Sequence, residues 1–223
     1  MHRSGTSCLT GVLQERGLEL GDVYTQAPHN KKGNRENAEI MALNEAILMQ
    51  NSCTWNAPKD IKIWTEEQKQ KRSLIINNIK GNANAFWGFK DPRTVFTLPF
   101  WLEEIEDVSY IGTYRHPLKV AQSLLKRNGM PIDDGVELWY RYNYRVYNLL
   151  VNNSSPLVNF DLDDSSYIKD INSKIKSLGL ELNNKASIFF DSALRNQPDI
   201  GMYKLPNKVE ELYLNFKNYH AQY

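Results

Sequence analysis

Residues 2–7, His-Arg-Ser-Gly-Thr-Ser, have the composition of an anion-binding loop and run directly into an apolar helical pattern that starts at Leu9. The N–H groups in the first turn of a helix have no partner inside the helix, and the helix dipole adds partial positive charge there. A phosphate or sulfate group therefore binds well at such a position. Gly5 allows the backbone to approach the anion closely, and the hydroxyl and guanidinium groups beside it can donate further hydrogen bonds. We predict that the anion-binding residues are Arg3, Ser4, Gly5, Thr6 and Ser7.

The same loop lacks the Gly-Lys-Ser/Thr ending of nucleoside triphosphatase loops. The lysine that reaches the terminal phosphates and the residue that holds magnesium are therefore not both present, which disfavours ATP or GTP chemistry. A phosphate loop usually follows a buried parallel strand, and only Met1 precedes His2, so we expect the first strand to be missing or truncated. For the loop alone, the alternative is an ordinary helix cap made by Ser4 or Thr6.

A second group of residues that could bind an anion starts at Arg115 and continues through His116 and Pro117 to Ser123. Arg115 follows an apolar run of strand type, Pro117 suits the first turn of a helix, and Ser123 lies about two turns inside that helix. Arg115 and Ser123 could both reach one anion that lies along the flank of the helix. Taken alone, a surface arginine and a solvated serine explain these residues better. The combination with the opening loop favours a binding site.

The elements that must position these residues are those of an α/β protein. Short apolar runs at 85–89 and 108–114 fit buried parallel strands, and the run from Pro156 to Phe160 is a further candidate. The polar segment 90–93, Lys-Asp-Pro-Arg, follows the first run as Arg115 follows the second, and ligands bind outside the carboxyl ends of such strands. Apolar spacing predicts helices over about residues 5–17, 36–50, 65–80, 117–127, 133–151, 166–178 and 207–219.

Composition excludes several classes of protein. The 223 residues suit one domain over 1–223, and 27 Lys and Arg against 26 Asp and Glu give a net charge of +1, which argues against nucleic acid as a partner. Cys8 and Cys53 are too few for a disulfide framework or a metal site. No apolar run is long enough to span a membrane and no signal segment opens the sequence, so we expect a cytoplasmic protein. The oligomeric state is left open.

Together these segments resemble the sulfotransferases that use 3′-phosphoadenosine 5′-phosphosulfate (PAPS), in particular the bacterial type. Residues 3–7 resemble the 5′-phosphosulfate loop of the family, with Arg3 where many members have lysine. Residues 115–117 together with Ser123 resemble its 3′-phosphate motif, an arginine and a serine eight positions apart. Similarity to bacterial members extends to residues 33–36, 43–44, 90–93 and 98–101.

The resemblance implies a P-loop-like three-layer α/β fold with a central parallel sheet flanked by helices. It also implies PAPS as co-substrate, with no metal, and transfer of its sulfuryl group to a hydroxyl or amine of an acceptor. A carbohydrate or related metabolite is the favoured acceptor. Residues 3–7 would hold the 5′-phosphosulfate, and Arg115 with Ser123 would hold the 3′-phosphate.

The acceptor must lose a proton, and the similarity to carbohydrate and protein sulfotransferases makes Glu36 the predicted general base. Arg3 is the second predicted catalytic residue, because it would stabilise charge on the phosphosulfate. An acidic residue that suits the dipole at the start of a helix explains Glu36 equally well. Reserve bases are Glu39, His29 and Asp91.

Other interpretations stay open. A P-loop kinase or another nucleotide-binding enzyme would show magnesium-dependent ATP turnover, and a catalytically inactive family member would bind an anion or a partner without catalysis. Asp91 and Arg93 could pair and fix their loop instead of lining a site. The segment 192–195 is similar to a phosphate-side arginine segment of bacterial relatives. A set of aromatic side chains could stack on sugar or adenine, although core packing is more common: Trp139, Tyr140, Tyr142, Tyr144 and Tyr147.

Overall fold

The computed structural model describes residues 1–27, 32–179, 189–191 and 202–222. This part of the chain contains eight α-helices and one sheet of two parallel strands, so the protein belongs to the mixed helix and sheet class. None of the helices within these ranges is long and apolar enough to cross a membrane. In chain order the elements are α1 Thr6–Glu15, α2 Ala38–Gln50, α3 Glu66–Asn82, α4 Thr94–Leu102, β1 Gly112–Tyr114, α5 Pro117–Asn128, α6 Ile132–Asn152, β2 Leu157–Asn159, α7 Asp164–Ser177 and α8 Asn207–His220.

Contacts between residues divide the chain into two compact units. The first unit comprises Met1–Leu9, Ser109–Glu181 and Asp191–Tyr223, and it includes the opening loop, both strands and helices α5 to α8. The second unit comprises Thr10–Val108 and Leu182–Phe190, and it includes helices α2 to α4. Helix α1 starts in the first unit and ends in the second. The single domain over the whole chain stays a prediction.

The two strands form the sheet of the first unit. They pair in parallel, with Gly112 opposite Leu157 and Tyr114 opposite Asn159. All three residues of β1 are buried, as is usual for a strand in a parallel sheet. The ring of Tyr114 stacks on Phe216 of α8 at a centroid distance of 5.4 Å. This aromatic contact packs α8 against the strand that ends beside Arg115.

Helices α5 and α6 approach closely because small residues lie at their contact. A Cβ atom on Gly135 of α6 would lie only 2.9 Å from the Cα atom of Ala121 on α5. Helix α5 begins with Pro117, which suits the first helical turn, and the preceding His116 caps it by accepting a hydrogen bond from Leu118 N–H at 3.2 Å. The position of α5 is therefore fixed both by its start and by its packing.

Helix α2 is the centre of the second unit, since it packs against both α3 and α4. The side chain of Asn37 caps the N-terminus of α2 by accepting hydrogen bonds from the N–H groups of Glu39 and Ile40. Helix α3 starts with a capping box formed by Thr65 and Gln68. The buried core around these helices consists of Ile40, Leu43, Ile47, Leu48, Ile75, Ile76, Ile79, Phe96, Phe100 and Trp101.

The predicted helices are confirmed with small shifts of their ends, and the strands expected near 108–114 and 156–160 are present but shorter. The strand predicted at 85–89 is wrong, because in that segment only Trp87 pairs, through a single parallel bridge to Glu19. Glu19 lies in a short segment that follows the end of α1, and the chain turns again at Gly21, which has a φ of 66°. The partner segment is therefore too short to build a regular strand.

Helix α4 has no counterpart among the predicted helices, because Pro99 lies inside it. Proline removes a backbone donor and clashes with the preceding turn, so its presence argues against a helix. Tertiary contacts hold α4 instead. Arg72 on α3 donates a hydrogen bond from Nη1 to the carbonyl of Phe100, and it pairs with Glu103 at 3.0 Å and Glu104 at 2.9 Å.

Candidate functional site

The opening loop of the first unit turns sharply at two positions. Arg3 and Gly5 have positive φ angles of 62° and 83°. The carbonyl of Arg3 accepts a hydrogen bond from Arg115 Nη1 at 3.3 Å, and the carbonyl of Ser4 accepts one from Thr113 Oγ1 at 3.1 Å. Because a trans peptide places its N–H opposite its carbonyl, the N–H groups of Ser4 and Gly5 point away from these donors. Successive N–H groups in such a turn form a concavity that binds anions.

The two predicted anion-binding motifs lie together in the first unit, although 120 positions separate Arg3 from Ser123. Arg3 Nε donates a hydrogen bond of 2.7 Å to Ser123 Oγ. Strand β1 positions Arg115, which follows its last residue, and helix α5 positions Ser123 on its buried side. Arg115 and Ser123 are 4% and 8% exposed. Contacts with Arg3 thus connect the opening loop to both residues of the second motif.

The electrostatics of this cluster favour an anion. Burial lowers the pKa of Arg3, and the positive charge of Arg127, one turn beyond Ser123 on α5, lowers it further. A nearby negative charge stabilises a cation whose charged form is disfavoured in this way. Ser4 Oγ is buried, and within the described ranges no group lies at hydrogen-bonding distance from it. Buried hydroxyls without a partner are rare, and an oxyanion would satisfy this one.

The two motifs also include Thr6, Ser7 and His116. Thr6 and Ser7 are the first two residues of α1, so their N–H groups belong to the first helical turn. Both residues are partly exposed. Burial lowers the pKa of His116, which keeps its ring neutral at pH 7, and Nδ1 accepts the hydrogen bond from Leu118 N–H. His116 therefore has a structural role at the start of α5.

Gly5 lies against the ring of Phe160, and replacing it with alanine is expected to damage the loop. The new Cβ would lie 2.2 Å from Cδ2 of that ring, and the positive φ strains any residue with a side chain. We expect Gly5→Ala to lower the free energy of unfolding by about 2–4 kcal/mol, measured by chemical denaturation. Gly129→Ala is the control, because Gly129 has a similar φ of 74° but open space at its Cβ position. Equal losses in the two variants would contradict the role of the Phe160 contact.

In the second unit, the predicted base Glu36 forms an ion pair with Lys90. Lys90 Nζ lies 2.9 Å from Glu36 Oε1, and the two side chains are 14% and 10% exposed. Glu36 lies immediately before Asn37, the residue that caps the N-terminus of α2, so both explanations for this acidic residue stay open. Burial lowers the pKa of Lys90 by more than Glu36 raises it. A lysine and a carboxylate that are both shielded from water occur in proton-transfer sites and also in structural ion pairs.

Asp91 and Arg93 pair and fix the segment that follows Lys90. Arg93 Nη1 lies 2.8 Å from Asp91 Oδ1, and Arg93 Nη2 lies 2.8 Å from Glu45 Oε1. Burial lowers the pKa of Arg93, but Asp91 and Glu45 raise it by more. Asp91 Oδ2 also accepts a hydrogen bond of 3.0 Å from Asn44 Nδ2. These contacts favour the structural explanation for the Asp91–Arg93 pair.

Asn44 uses both atoms of its amide inside this network. Besides its bond to Asp91, Nδ2 donates to Thr94 Oγ1 at 3.1 Å, and Oδ1 accepts from Thr97 Oγ1 at 2.6 Å and Trp101 Nε1 at 2.8 Å. Asn44 is fully buried on the apolar side of α2. It therefore connects α2 to the start and the end of α4.

Replacing Asn44 with leucine is expected to leave several buried polar groups without partners. We expect a loss of about 2–4 kcal/mol in the free energy of unfolding, since each unsatisfied buried group costs about 1–3 kcal/mol. Thermal or chemical denaturation measures it. Asn51→Leu is the comparison, because the Asn51 amide makes four hydrogen bonds at a partly exposed position where water can replace most of them. A cost for Asn44→Leu no larger than for Asn51→Leu would contradict this interpretation.

The structure describes some, but not all, of the other residues proposed from the sequence. Glu39 is exposed on α2, and His29 and the segment 192–195 lie outside the described residues. The aromatic residues of α6 divide into buried Trp139 and Tyr142, which belong to the core, and the partly exposed or exposed Tyr140, Tyr144 and Tyr147. In the described part of the chain, no three His, Cys, Asp or Glu side chains form a group that could hold a metal ion. Metal-independent chemistry stays a prediction.

Two residues that contact predicted site residues were not themselves predicted from the sequence. Asp161 follows β2 and approaches Arg115, with Oδ1 3.7 Å from Arg115 Nε. A carboxylate just after a predicted strand was a usable signal, because the carboxyl ends of parallel strands lie together. Asn44 was noted only within a resemblance, although a polar residue on an apolar helix face predicts a buried hydrogen-bond network.

Comparisons with known proteins give no assignment: no protein-family model, no curated protein and no solved structure matches this chain.

Proposed function

We propose that this protein is a PAPS-dependent sulfotransferase that transfers a sulfuryl group to a hydroxyl or amine of an acceptor, a carbohydrate or related metabolite. One observation carries the proposal. The hydrogen bond of 2.7 Å from Arg3 to Ser123 joins two predicted anion-binding motifs that are far apart in the sequence. A nucleotide with phosphate groups at both its 5′ and 3′ positions needs two such motifs in one place.

The contacts of the loop support a donor held at both ends. The N–H groups of residues 4 and 5 and of the first turn of α1 would receive the oxygens of the 5′-phosphosulfate. Arg115 and Ser123 would receive the 3′-phosphate, with the guanidinium as a charged donor and the hydroxyl as a second donor. The desolvated charge on Arg3 would be stabilised by this polyanion, since burial and Arg127 both disfavour it.

Transfer of the group requires the removal of one proton. The acceptor oxygen would form a bond to sulfur as the bond from sulfur to the phosphate oxygen breaks, which releases 3′-phosphoadenosine 5′-phosphate. Glu36 would accept the proton of the acceptor hydroxyl, and Lys90 at 2.9 Å would hold its carboxylate in place. Arg3 would stabilise the negative charge that develops on the leaving phosphate.

The described residues also support a proposal for the complete sheet architecture and for the cellular compartment. We propose that the two parallel strands belong to a three-layer P-loop-like sheet, because an anion loop leads into α1 and an arginine follows β1, as ligand sites do in open α/β sheets. We also propose a cytoplasmic location, since neither Cys8 nor Cys53 forms a disulfide in the described structure.

The decisive experiment compares nucleotides by isothermal titration calorimetry. The protein should bind 3′-phosphoadenosine 5′-phosphate at least about tenfold more tightly than adenosine 5′-phosphate, because one further charged contact contributes about 1.4 kcal/mol or more. Equal affinities would remove the 3′-phosphate site. Transfer of ³⁵S from labelled PAPS to an acceptor panel then tests catalysis. Magnesium-dependent ATP turnover would favour a kinase, and nucleotide binding without transfer to any acceptor would favour an inactive binding protein.

A further inference from the structure

Asp161 places a carboxylate beside the proposed 3′-phosphate site. Its Oδ2 accepts a hydrogen bond of 2.6 Å from His116 N–H, and its Oδ1 lies 3.1 Å from Lys119 Nζ and 3.7 Å from Arg115 Nε. The side chain is 12% exposed, and the Asp161 N–H donates to Asn159 Oδ1 at 2.9 Å. The residue thus connects the end of β2 to the end of β1 and to the first turn of α5.

A negative charge in this place would by itself oppose the binding of a phosphate. Its presence is explained if it orients a cation that binds the phosphate. The guanidinium of Arg115 makes two contacts through different nitrogens: an ion pair from Nε to Asp161 Oδ1 at 3.7 Å, and a hydrogen bond of 3.3 Å from Nη1 to the carbonyl of Arg3. The ion pair attracts the guanidinium toward Asp161, and the hydrogen bond to the loop limits how far it can turn.

Lys119 shares the same carboxylate oxygen, so Asp161 also limits the free positive charge around the site. Without the carboxylate, the positive charges of Arg115 and Lys119 would attract any anion without regard to its shape. With the Asp161 carboxylate present, Arg115 would be held in one orientation before the ligand binds. The site would then attract anions less strongly in general but would select among them better.

We propose that Asp161 is a positioning residue that orients Arg115, and that the preference of the site for a nucleotide with a ribose 3′-phosphate depends on it. This inference rests on the proposed function, because it assigns Arg115 to the 3′-phosphate. Asp161 itself makes no contact with the nucleotide in this account.

The test is Asp161→Asn, with the ratio of the dissociation constants for adenosine 5′-phosphate and 3′-phosphoadenosine 5′-phosphate as the readout. Asparagine can still accept the hydrogen bond from His116 N–H, so α5 should keep its start and the melting temperature should change little. The amide no longer attracts Lys119 and Arg115. We expect the ratio to fall about tenfold, less than the effect of removing Arg115, because the guanidinium is still present but is no longer oriented by the carboxylate.

Two controls separate positioning from stability. Asp163→Ala removes a nearby helix cap, since Asp163 accepts from Ser166 N–H at the start of α7, and it should leave the ratio unchanged. The double variant Arg115→Ala/Asp161→Asn should have the same ratio as Arg115→Ala alone, because Asp161 acts through Arg115.

The inference is overturned if Asp161→Asn keeps the ratio of the unsubstituted protein, or if it lowers the ratio further in the Arg115→Ala background. It is also overturned if both nucleotides simply bind more tightly to Asp161→Asn, because the carboxylate would then act only as a repulsive charge. A different result concerns the function itself: if the unsubstituted protein does not distinguish the two nucleotides, the donor assignment fails before Asp161 is tested.

Discussion

Replacing Arg115 with alanine is expected to weaken the binding of 3′-phosphoadenosine 5′-phosphate about 100-fold, since a buried charged hydrogen bond to phosphate contributes about 3 kcal/mol. The residue is 4% exposed, and its guanidinium forms an ion pair with Asp161 at 3.7 Å and a hydrogen bond with the carbonyl of Arg3. Binding of adenosine 5′-phosphate should change by less than about threefold, because that ligand lacks the group that Arg115 receives. Calorimetry with both nucleotides measures the effect.

Arg141→Ala is a matched control for this variant. Arg141 is an arginine of the same unit, but it is 49% exposed on α6 and pairs with Glu137 at 3.2 Å. Its removal changes the net charge by the same amount and should leave both affinities unchanged at physiological salt. Equal weakening of the two nucleotides by Arg115→Ala would show that Arg115 does not read the 3′-phosphate.

Replacing Glu36 with glutamine is expected to reduce sulfuryl transfer by about 10²–10⁴-fold, the usual contribution of a general base. Glutamine has the same shape and can still accept a hydrogen bond from Lys90, so the fold should be preserved. It cannot accept the proton of the acceptor hydroxyl. The rate of ³⁵S transfer from labelled PAPS to an acceptor found by the panel measures the effect, and donor affinity should stay unchanged.

Glu39→Gln serves as the comparison for Glu36→Gln. Glu39 lies in the first turn of α2 and is exposed, so its replacement removes the same charge from the same end of the same helix. We expect it to retain transfer within about twofold, because exposed helix-terminal charges contribute only about 0.3–1 kcal/mol. Full activity of Glu36→Gln would mean that another group accepts the proton.

The opening loop and the start of α5 could be predicted from the sequence because each has a local signal. Polar residues around Gly5 lead into an amphipathic helix, and the spacing from Arg115 to Ser123 matches the start of a helix with Pro117 in its first turn. The structure adds what spacing could not provide. It brings Arg3 into hydrogen-bonding contact with Ser123 and buries Arg115 under the loop carbonyl.

The residues that escaped prediction depend on contacts between distant segments. Asp161 approaches Arg115 only because β2 pairs with β1 in one register, and no local pattern fixes that register. Helix α4 forms in spite of Pro99 because Arg72 and Asn44 bind its backbone and side chains. The strand predicted at 85–89 is absent for the opposite reason. The local sequence suits a strand, but only Glu19 pairs with this segment, through a single bridge to Trp87.

The contact between Arg3 and Ser123 also constrains how the chain acquires its site. Ser123 lies 120 positions after Arg3 and must be synthesised before the loop can meet it, and closing the segment has an entropic cost that grows slowly with its length. Helices α2 to α4 belong to a stretch that leaves the ribosome earlier, between Thr10 and Val108. At that stage of synthesis the chain lacks Arg115 and Ser123, one half of the proposed anion site, so it should be unable to bind a nucleotide in this way.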